Sequence, residues 1–109
     1  SKYGNPDRLM ALQFDLYGDP DGGLIMVLQS DAVDGLGTRV FASCLPADGS
    51  RRSELDRLSV PFVFAEREYR VMLNLLGTAR LGAMGRKVGN LSALRDQITK
   101  AIDLLVTGV

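Results

Sequence analysis

The stretch LQFDLYGDPDGGLIMVLQ, from Leu12 to Gln29, decides the fold. In its first part Leu12, Phe14 and Leu16 alternate with the more polar Gln13, Asp15 and Tyr17. This alternation is typical of a strand with one buried face. The segment 18–23 then breaks the pattern with glycine, aspartate and proline, which suit a tight turn. Because a second apolar run follows from Leu24, the stretch predicts an antiparallel β-hairpin.

Four further segments have strand composition. They are Arg39–Leu45, Val60–Phe64, Tyr69–Leu75 and a weaker sixth strand at Leu81–Met84. A charged turn at 66–68 separates Val60–Phe64 from Tyr69–Leu75. Pro61 predicts that its strand either lies at a sheet edge or begins at that proline, because proline has no N–H to donate to a central ladder.

The last element differs from the others. Apolar residues recur at helical spacing at Leu94, Ile98, Ala101, Ile102 and Leu105. Ser92 is the predicted N-cap, and Gly108 stands where a left-handed C-terminal residue is expected. The sequence therefore predicts one amphipathic helix at the end of the chain.

This order of elements predicts a mainly β fold. Parallel strands need crossover helices, and none is predicted between the strands. We expect a small curled barrel or a strongly twisted antiparallel sheet of five to six strands, with the C-terminal helix packed on it. With 109 residues the chain has room for one domain, 10–109, and residues 1–9 are expected to be a flexible extension or a remnant of cloning.

Composition excludes several classes of function. Thirteen basic residues balance thirteen acidic ones, so direct binding to nucleic acid is not expected. There is no histidine and one cysteine, which excludes a zinc site, a disulfide framework and a histidine-dependent triad, and we expect no metal, cofactor or catalytic residue. Cys44 is expected to be buried and inert. No apolar run is long enough to span a membrane, and a lone cysteine suits the reducing cytoplasm.

The chain end is unusual because it carries no polar tail. Residues 104–109 read LLVTGV, and Val106 and Val109 extend beyond the regular apolar face of the helix. Two interpretations stay open at this point. The valines either fold back into the core of their own subunit or are presented to a partner protein.

Several motifs together resemble the CcdB toxin family over about Leu12 to Val109. They are Gln13-Phe14, then Leu28-Gln29-Ser30-Asp31 followed by Asp34, then Leu91-Ser92 before the helix, then the helical run Lys100–Leu104, and the terminal Thr107-Gly108-Val109. The order and spacing are close to those of the family, and the Gln-Ser-Asp step and the helix with its terminal glycine are the most specific parts.

The resemblance implies an SH3-like barrel and a homodimer in which both helix ends lie near the two-fold axis. It also implies a cytoplasmic toxin of a type II toxin–antitoxin module, encoded on a plasmid or chromosome, that is not an enzyme. CcdB toxins insert between the two GyrA subunits of DNA gyrase and stabilise the complex in which DNA is cleaved. A CcdA-like antitoxin reverses this with a disordered segment that folds on binding.

Carried over by position, the gyrase contacts of the family fall on seven residues of this chain. They are Ala32, Val33, Asp103, Val106, Thr107, Gly108 and Val109. The best-known family member has two isoleucines, an asparagine and a Phe-Trp pair at the first five of these positions. Because a buried tryptophan is a typical binding anchor, threonine at position 107 is expected to lower potency.

Two alternatives differ from gyrase poisoning. One is a sequence-selective endoribonuclease of the MazF type, which shares the barrel and needs a basic groove and an acid–base set. The even charge balance argues against it. The other is a decayed toxin that acts only as an antitoxin-binding co-repressor of its operon.

Overall fold

The computed structural model describes residues 11–18, 22–29, 37–47 and 57–108. Within these ranges the chain forms one antiparallel sheet and one α-helix. The strands are β1 (Asp15–Gly18), β2 (Leu24–Val27), β3 (Thr38–Pro46), β4 (Ser59–Phe64), β5 (Arg67–Arg80) and β6 (Arg86–Asn90). The helix is α1 (Arg95–Thr107), and short 3-10 turns cover Leu81–Ala83 and Ser92–Leu94.

The sheet bends strongly at the pairing of β3 with β5. The described strands follow the order β4-β5-β3-β2-β1-β6, and every neighbouring pair is antiparallel. On β3 the register shifts between Ala42, opposite Leu76, and Ser43, opposite Met72. The extra residues on β5 form a bulge, which bends and twists a sheet locally. The sheet curls into a half-barrel, and the predicted mainly β fold with a C-terminal helix is confirmed.

The β1–β2 hairpin is confirmed, with Leu16 opposite Met26. However, β1 begins at Asp15 and not at Leu12, because the residues before it form a turn. The N–H of Asp15 donates to the carbonyl of Leu12 at 3.0 Å, and the N–H of Leu12 donates back to the Asp15 carboxylate at 2.9 Å. Phe14 within this turn has φ +71°, which interrupts the extended backbone.

The prediction that β1 has a single buried face is wrong. Asp15 and Tyr17 are buried together with Leu16, so both faces of the strand are covered. The second face packs with a small apolar cluster that contains Ala11 and Met84. Arg39 is also buried here, and its Nε donates to the carbonyl of Ala11 at 3.2 Å.

The edge position of Pro61 is confirmed, because β4 ends the described sheet. The turn between β4 and β5 is shorter than the charged stretch suggests. Phe64 pairs with Arg67, and the two intervening residues, Ala65 and Glu66, have φ of +51° and +63°. Positive φ at both positions is the type I′ geometry that fits the twist of a two-residue hairpin. Arg67 and Glu68 therefore belong to β5.

The predicted sixth strand at Leu81–Met84 is wrong. Residues Leu81–Ala83 form a 3-10 turn after β5, and β6 follows at Arg86–Asn90, paired with β1. The apolar character of the predicted segment has a different cause, since Met84 is fully buried in the small apolar cluster with Ala11. β6 has little apolar pattern because backbone pairing to β1 holds it at the edge of the described sheet.

Helix α1 closes the open side of the curled sheet. Ile98 and Ala101 are buried in the main core, which also contains Val60, Val71 and Leu73. The predicted N-cap is wrong, because a 3-10 turn precedes the helix and its N-cap is Leu94. Ser92 instead donates its N–H to Oδ1 of Asn90 at 2.8 Å.

Cys44 lies in this core on β3, as predicted. Burial raises the pKa of its thiol to about 12, because the thiolate is poorly solvated there. At neutral pH the side chain is therefore a protonated apolar group, which confirms the expectation of a buried cysteine without thiolate reactivity.

Candidate target-binding site at the end of the helix

The last turn of α1 extends beyond the core. Ile98 is fully buried and Ile102 is partly buried, whereas Leu105 is 38% exposed and Val106 is 77% exposed. The apolar face predicted from the sequence therefore changes environment along the helix. Of the two interpretations of Val106, the structure selects the exposed one.

Three of the residues predicted to bind a target share one face of this turn. Asp103, Val106 and Thr107 are all exposed and are spaced by three and four positions, which places them side by side on a helix. The Thr107 hydroxyl donates to the carbonyl of Asp103 at 2.7 Å, so it satisfies one of the terminal carbonyls. With Gly108, these residues form what we call the helix tip.

Gly108 ends the helix as the sequence predicts. Its φ is +72°, and its N–H donates to the carbonyl of Leu104 at 2.8 Å. A Cβ at this position would meet no atom within 4 Å. Backbone conformation and not crowding therefore favours glycine here, and an exposed surface is left around it.

An apolar groove of about 290 Å³ lies beside the helix tip. Its walls come from the end of α1 and from β3, β5 and the end of β2, with Leu28, Val40, Leu73, Leu76, Leu105 and Val106 among the lining residues. Leu76 is 50% exposed. Val106 belongs both to this tip groove and to the helix tip, so the two form one continuous surface.

Two glutamines of the sequence motifs position the wall of the tip groove. Nε2 of Gln13 donates to the carbonyl of Leu28 at 3.1 Å. Oε1 of Gln29 accepts the N–H of Val40 at 3.1 Å, beyond the last residue of β2. Both side chains replace strand pairing where the β2 ladder stops, so their role in the described structure is to hold the backbone.

The structure brings together four of the seven predicted contact residues. Asp103, Val106, Thr107 and Gly108 meet at the helix tip. The other three predicted residues, Ala32, Val33 and Val109, lie outside the described residues. Sequence reasoning missed Leu76 and assigned Leu105 to the buried helical face. The sequence contains one signal for the exposure of Leu76. Leu75 and Leu76 are adjacent in a strand, where alternation places only one of two neighbours on the buried face.

The described residues contain no group of three or more histidine, cysteine, aspartate or glutamate side chains that could hold a metal ion. The buried carboxylate of Asp15 accepts a hydrogen bond from Nδ2 of Asn90 at 2.8 Å and forms an ion pair with Nζ of Lys87 at 3.4 Å. Within the same residues, no helix has the length and apolarity required to cross a bilayer. The tip groove and the helix tip together form an exposed apolar surface, which is suited to binding another protein.

Solved structures with the same fold include one described as an endoribonuclease and two described as toxins. An "Endoribonuclease from Mycobacterial species" is 15% identical, with a TM-score of 0.71 over 92% of this chain and 93% of that chain. The structure described as "Crystal structure of Mtb toxin" is 16% identical, with a TM-score of 0.65 over 82% and 96%. "Mycobacterium tuberculosis toxin MazF-mt6" is 19% identical, with a TM-score of 0.60 over 84% and 97%. These likenesses show that the fold, a curled antiparallel sheet with a C-terminal helix, is shared with these three structures.

The chain belongs to the CcdB family, since the model for "CcdB protein" matches residues 13–108. It is a toxin of a toxin–antitoxin system, and the family implies an antitoxin partner. No curated protein sequence matches the chain significantly.

One expectation needs correction. The resemblance to CcdB implied a protein that is not an enzyme, but a structure with this fold over most of both chains is an endoribonuclease. The expectation that this chain is not an enzyme therefore does not stand.

Proposed function

We propose that this toxin acts on DNA gyrase. It binds GyrA through the helix tip, with Ala32, Val33 and Val109 completing the contact set, and it stabilises the complex in which DNA is cleaved. The observation that carries this proposal is the 77% exposure of Val106 at the end of a helix in which Ile98 and Ala101 are buried. Family membership supports the choice of target.

The active form is a homodimer that acts in the cytoplasm, where its target lies. A two-fold symmetric target engages two copies of the helix tip, and linking two contacts raises the overall affinity. The exposed apolar walls of the tip groove, Leu76 and Leu105, supply surface for self-association. A CcdA-like antitoxin neutralises the dimer.

The test is gyrase-dependent DNA cleavage with purified toxin, and the informative variant is Val106→Lys. Lysine near a helix C-terminus is compatible with the helix dipole, so folding is expected to persist. Loss of a central apolar contact of about 2 kcal/mol lowers apparent affinity about 30-fold. The matched control is Val63→Lys, because Val63 is 72% exposed on the edge strand β4, where lysine is well tolerated.

The result expected is trapped cleaved DNA with wild type and Val63→Lys, and little with Val106→Lys. Equal trapping by both variants would reject the helix tip as the contact. Supercoiling unchanged by micromolar wild-type toxin would reject gyrase as the target. Removal of Gly108 and Val109 gives an independent check, since it is expected to abolish toxicity while antitoxin binding and folding persist.

A second candidate is sequence-selective RNA cleavage. The fold likeness to an endoribonuclease over 92% of the chain favours it. Incubation of the purified toxin with messenger RNA in the absence of gyrase distinguishes the two activities. Specific cleavage products that vanish when antitoxin is added would establish the ribonuclease, whereas intact RNA together with trapped DNA supports the gyrase proposal.

A further inference from the structure

A second concave surface lies on the opposite flank of α1 from the tip groove. It is an open groove of about 410 Å³ between the helix and β4, and we call it the β4 groove. Gln97, Lys100 and Leu104 line it from the helix, at spacings that place them on one helical face. Arg57 and Ser59 line it from the other side, at the start of β4.

The charge of the β4 groove is one-sided. Arg57 and Lys100 are both exposed, and neither forms an ion pair within the described residues. No aspartate or glutamate is among the described residues that line the groove. Beneath them, Nε of Arg70 donates to the Ser59 hydroxyl at 2.7 Å, which fixes this part of the wall. The chain has no net charge, so this is a local positive surface and not part of a general one.

The floor of the β4 groove is aliphatic. Val60 and Ala101 are buried and Leu104 is partly buried, so an apolar side chain could be covered there. The aromatic residues of the neighbouring hairpin, Phe62, Phe64 and Tyr69, do not line it. Single-stranded nucleic acid is usually held by stacking on aromatic rings. An aliphatic floor between two cations instead matches a peptide with an apolar side chain flanked by carboxylates.

We propose that the β4 groove binds an acidic segment of the antitoxin, with one aliphatic side chain of that segment on the floor and its carboxylates beside Arg57 and Lys100. This inference rests on the antitoxin partner that the family implies. The groove uses Lys100, Ala101 and Leu104, whereas the helix tip uses Asp103, Val106 and Thr107. The antitoxin segment therefore grips the helix without requiring the residues that contact the target.

The test is the affinity of purified antitoxin for toxin carrying Arg57→Glu and Lys100→Glu together. Two attractive contacts become repulsive, so binding is expected to weaken about tenfold or more, and the loss is expected to shrink at high salt. The matched control carries Arg80→Glu and Arg86→Glu, two exposed arginines at the far end of β5 and on β6 that do not line the groove. Its affinity is expected to stay within about twofold of wild type.

Three outcomes would overturn the proposal. If the Arg57→Glu/Lys100→Glu toxin binds antitoxin with wild-type affinity, the β4 groove is not the binding site. If the control pair loses as much affinity, the effect comes from overall charge and not from the groove. Displacement of antitoxin by a single-stranded oligouridylate, lost in the groove variant only, assigns the groove to RNA. Gyrase-dependent cleavage by the groove variant is measured in parallel. It is expected to match wild type, and failure of wild type in that assay rejects the gyrase target without affecting the binding result.

Discussion

The first and last halves of α1 have similar apolar residues but opposite environments. Ile98 and Ala101 are buried against β4 and β5, whereas Leu105 and Val106, at the same helical spacing, are exposed. The difference arises because the first half packs into the main core, whereas Leu105 and Val106 line the open tip groove. A continuous apolar stripe can therefore serve two purposes, and its first part holds the fold while its last part faces a partner.

The largest expected effect separates these halves by stability. Ile98→Ala removes a fully buried side chain and is expected to lower the free energy of unfolding by about 2–5 kcal/mol. Val106→Ala removes an exposed one and is expected to change it by less than about 0.5 kcal/mol. Chemical denaturation of both variants measures the contrast. Similar losses in the two would show that the tip belongs to the core.

The same comparison is sharpened by adding surface to the tip. Thr107→Trp places a large aromatic side chain on the exposed face and is expected to strengthen target binding by about 1–3 kcal/mol, which is about 5- to 150-fold. The concentration of toxin that traps half of the gyrase complexes measures this. The free energy of unfolding serves as the control and is expected to stay near the wild-type value. An unchanged trapping concentration would indicate that position 107 does not enter the interface.

The main core, which buries the first half of α1, also contains Cys44 of β3. The pH dependence of stability tests this core. The pKa of Cys44 is raised from 9.0 to about 12 in the folded protein, so the unfolded chain loses this proton first as pH rises. Stability is therefore complete below about pH 9 and falls between about pH 9 and 12, by about 1.4 kcal/mol for each unit of pH in that range. Cys44→Ala is expected to lack this component. Parallel pH profiles of wild type and Cys44→Ala between pH 8.5 and 10 would contradict it.

The smallest effect concerns the helix end. Gly108→Ala forces a Cβ into a left-handed backbone and is expected to cost about 1 kcal/mol, whereas Gly108→Asn is expected to cost less. Thermal unfolding of both variants provides the measurement. A larger loss than this, or one that is greater for asparagine, would mean that crowding and not backbone conformation selects glycine.

Local patterns were sufficient for much of the fold. Alternation and turn residues predicted the β1–β2 hairpin, and Pro61 predicted the edge strand, because each feature depends on the backbone of a few neighbouring residues. β6 escaped prediction because its residues are polar and its only support is pairing with β1, which is distant in sequence. Ser92 was misassigned because Asn90 supplies the hydrogen bond at that position.

For the candidate site, too, local features were predictable from the sequence and long-range ones were not. The spacing of Asp103, Val106, Thr107 and Gly108 along a helix was readable from the chain, and so was the left-handed end at Gly108. The tip groove and the β4 groove were not readable, since each joins the helix to strands that lie far from it in sequence. Arg57 and Lys100 in particular gave no joint signal, because their proximity exists only after the helix packs on β4.

Residue order thus settled five of the six described strands, the end of the helix and which side chains are apolar, because these properties follow from backbone preference and periodicity over a few residues. Which apolar residues are buried and which stay exposed was settled by the curl of the sheet. Ile98 and Ala101 pack into the main core, whereas Leu105 and Val106 stay exposed at the tip groove. Burial is a property of long-range packing, and so is the surface that a partner can reach.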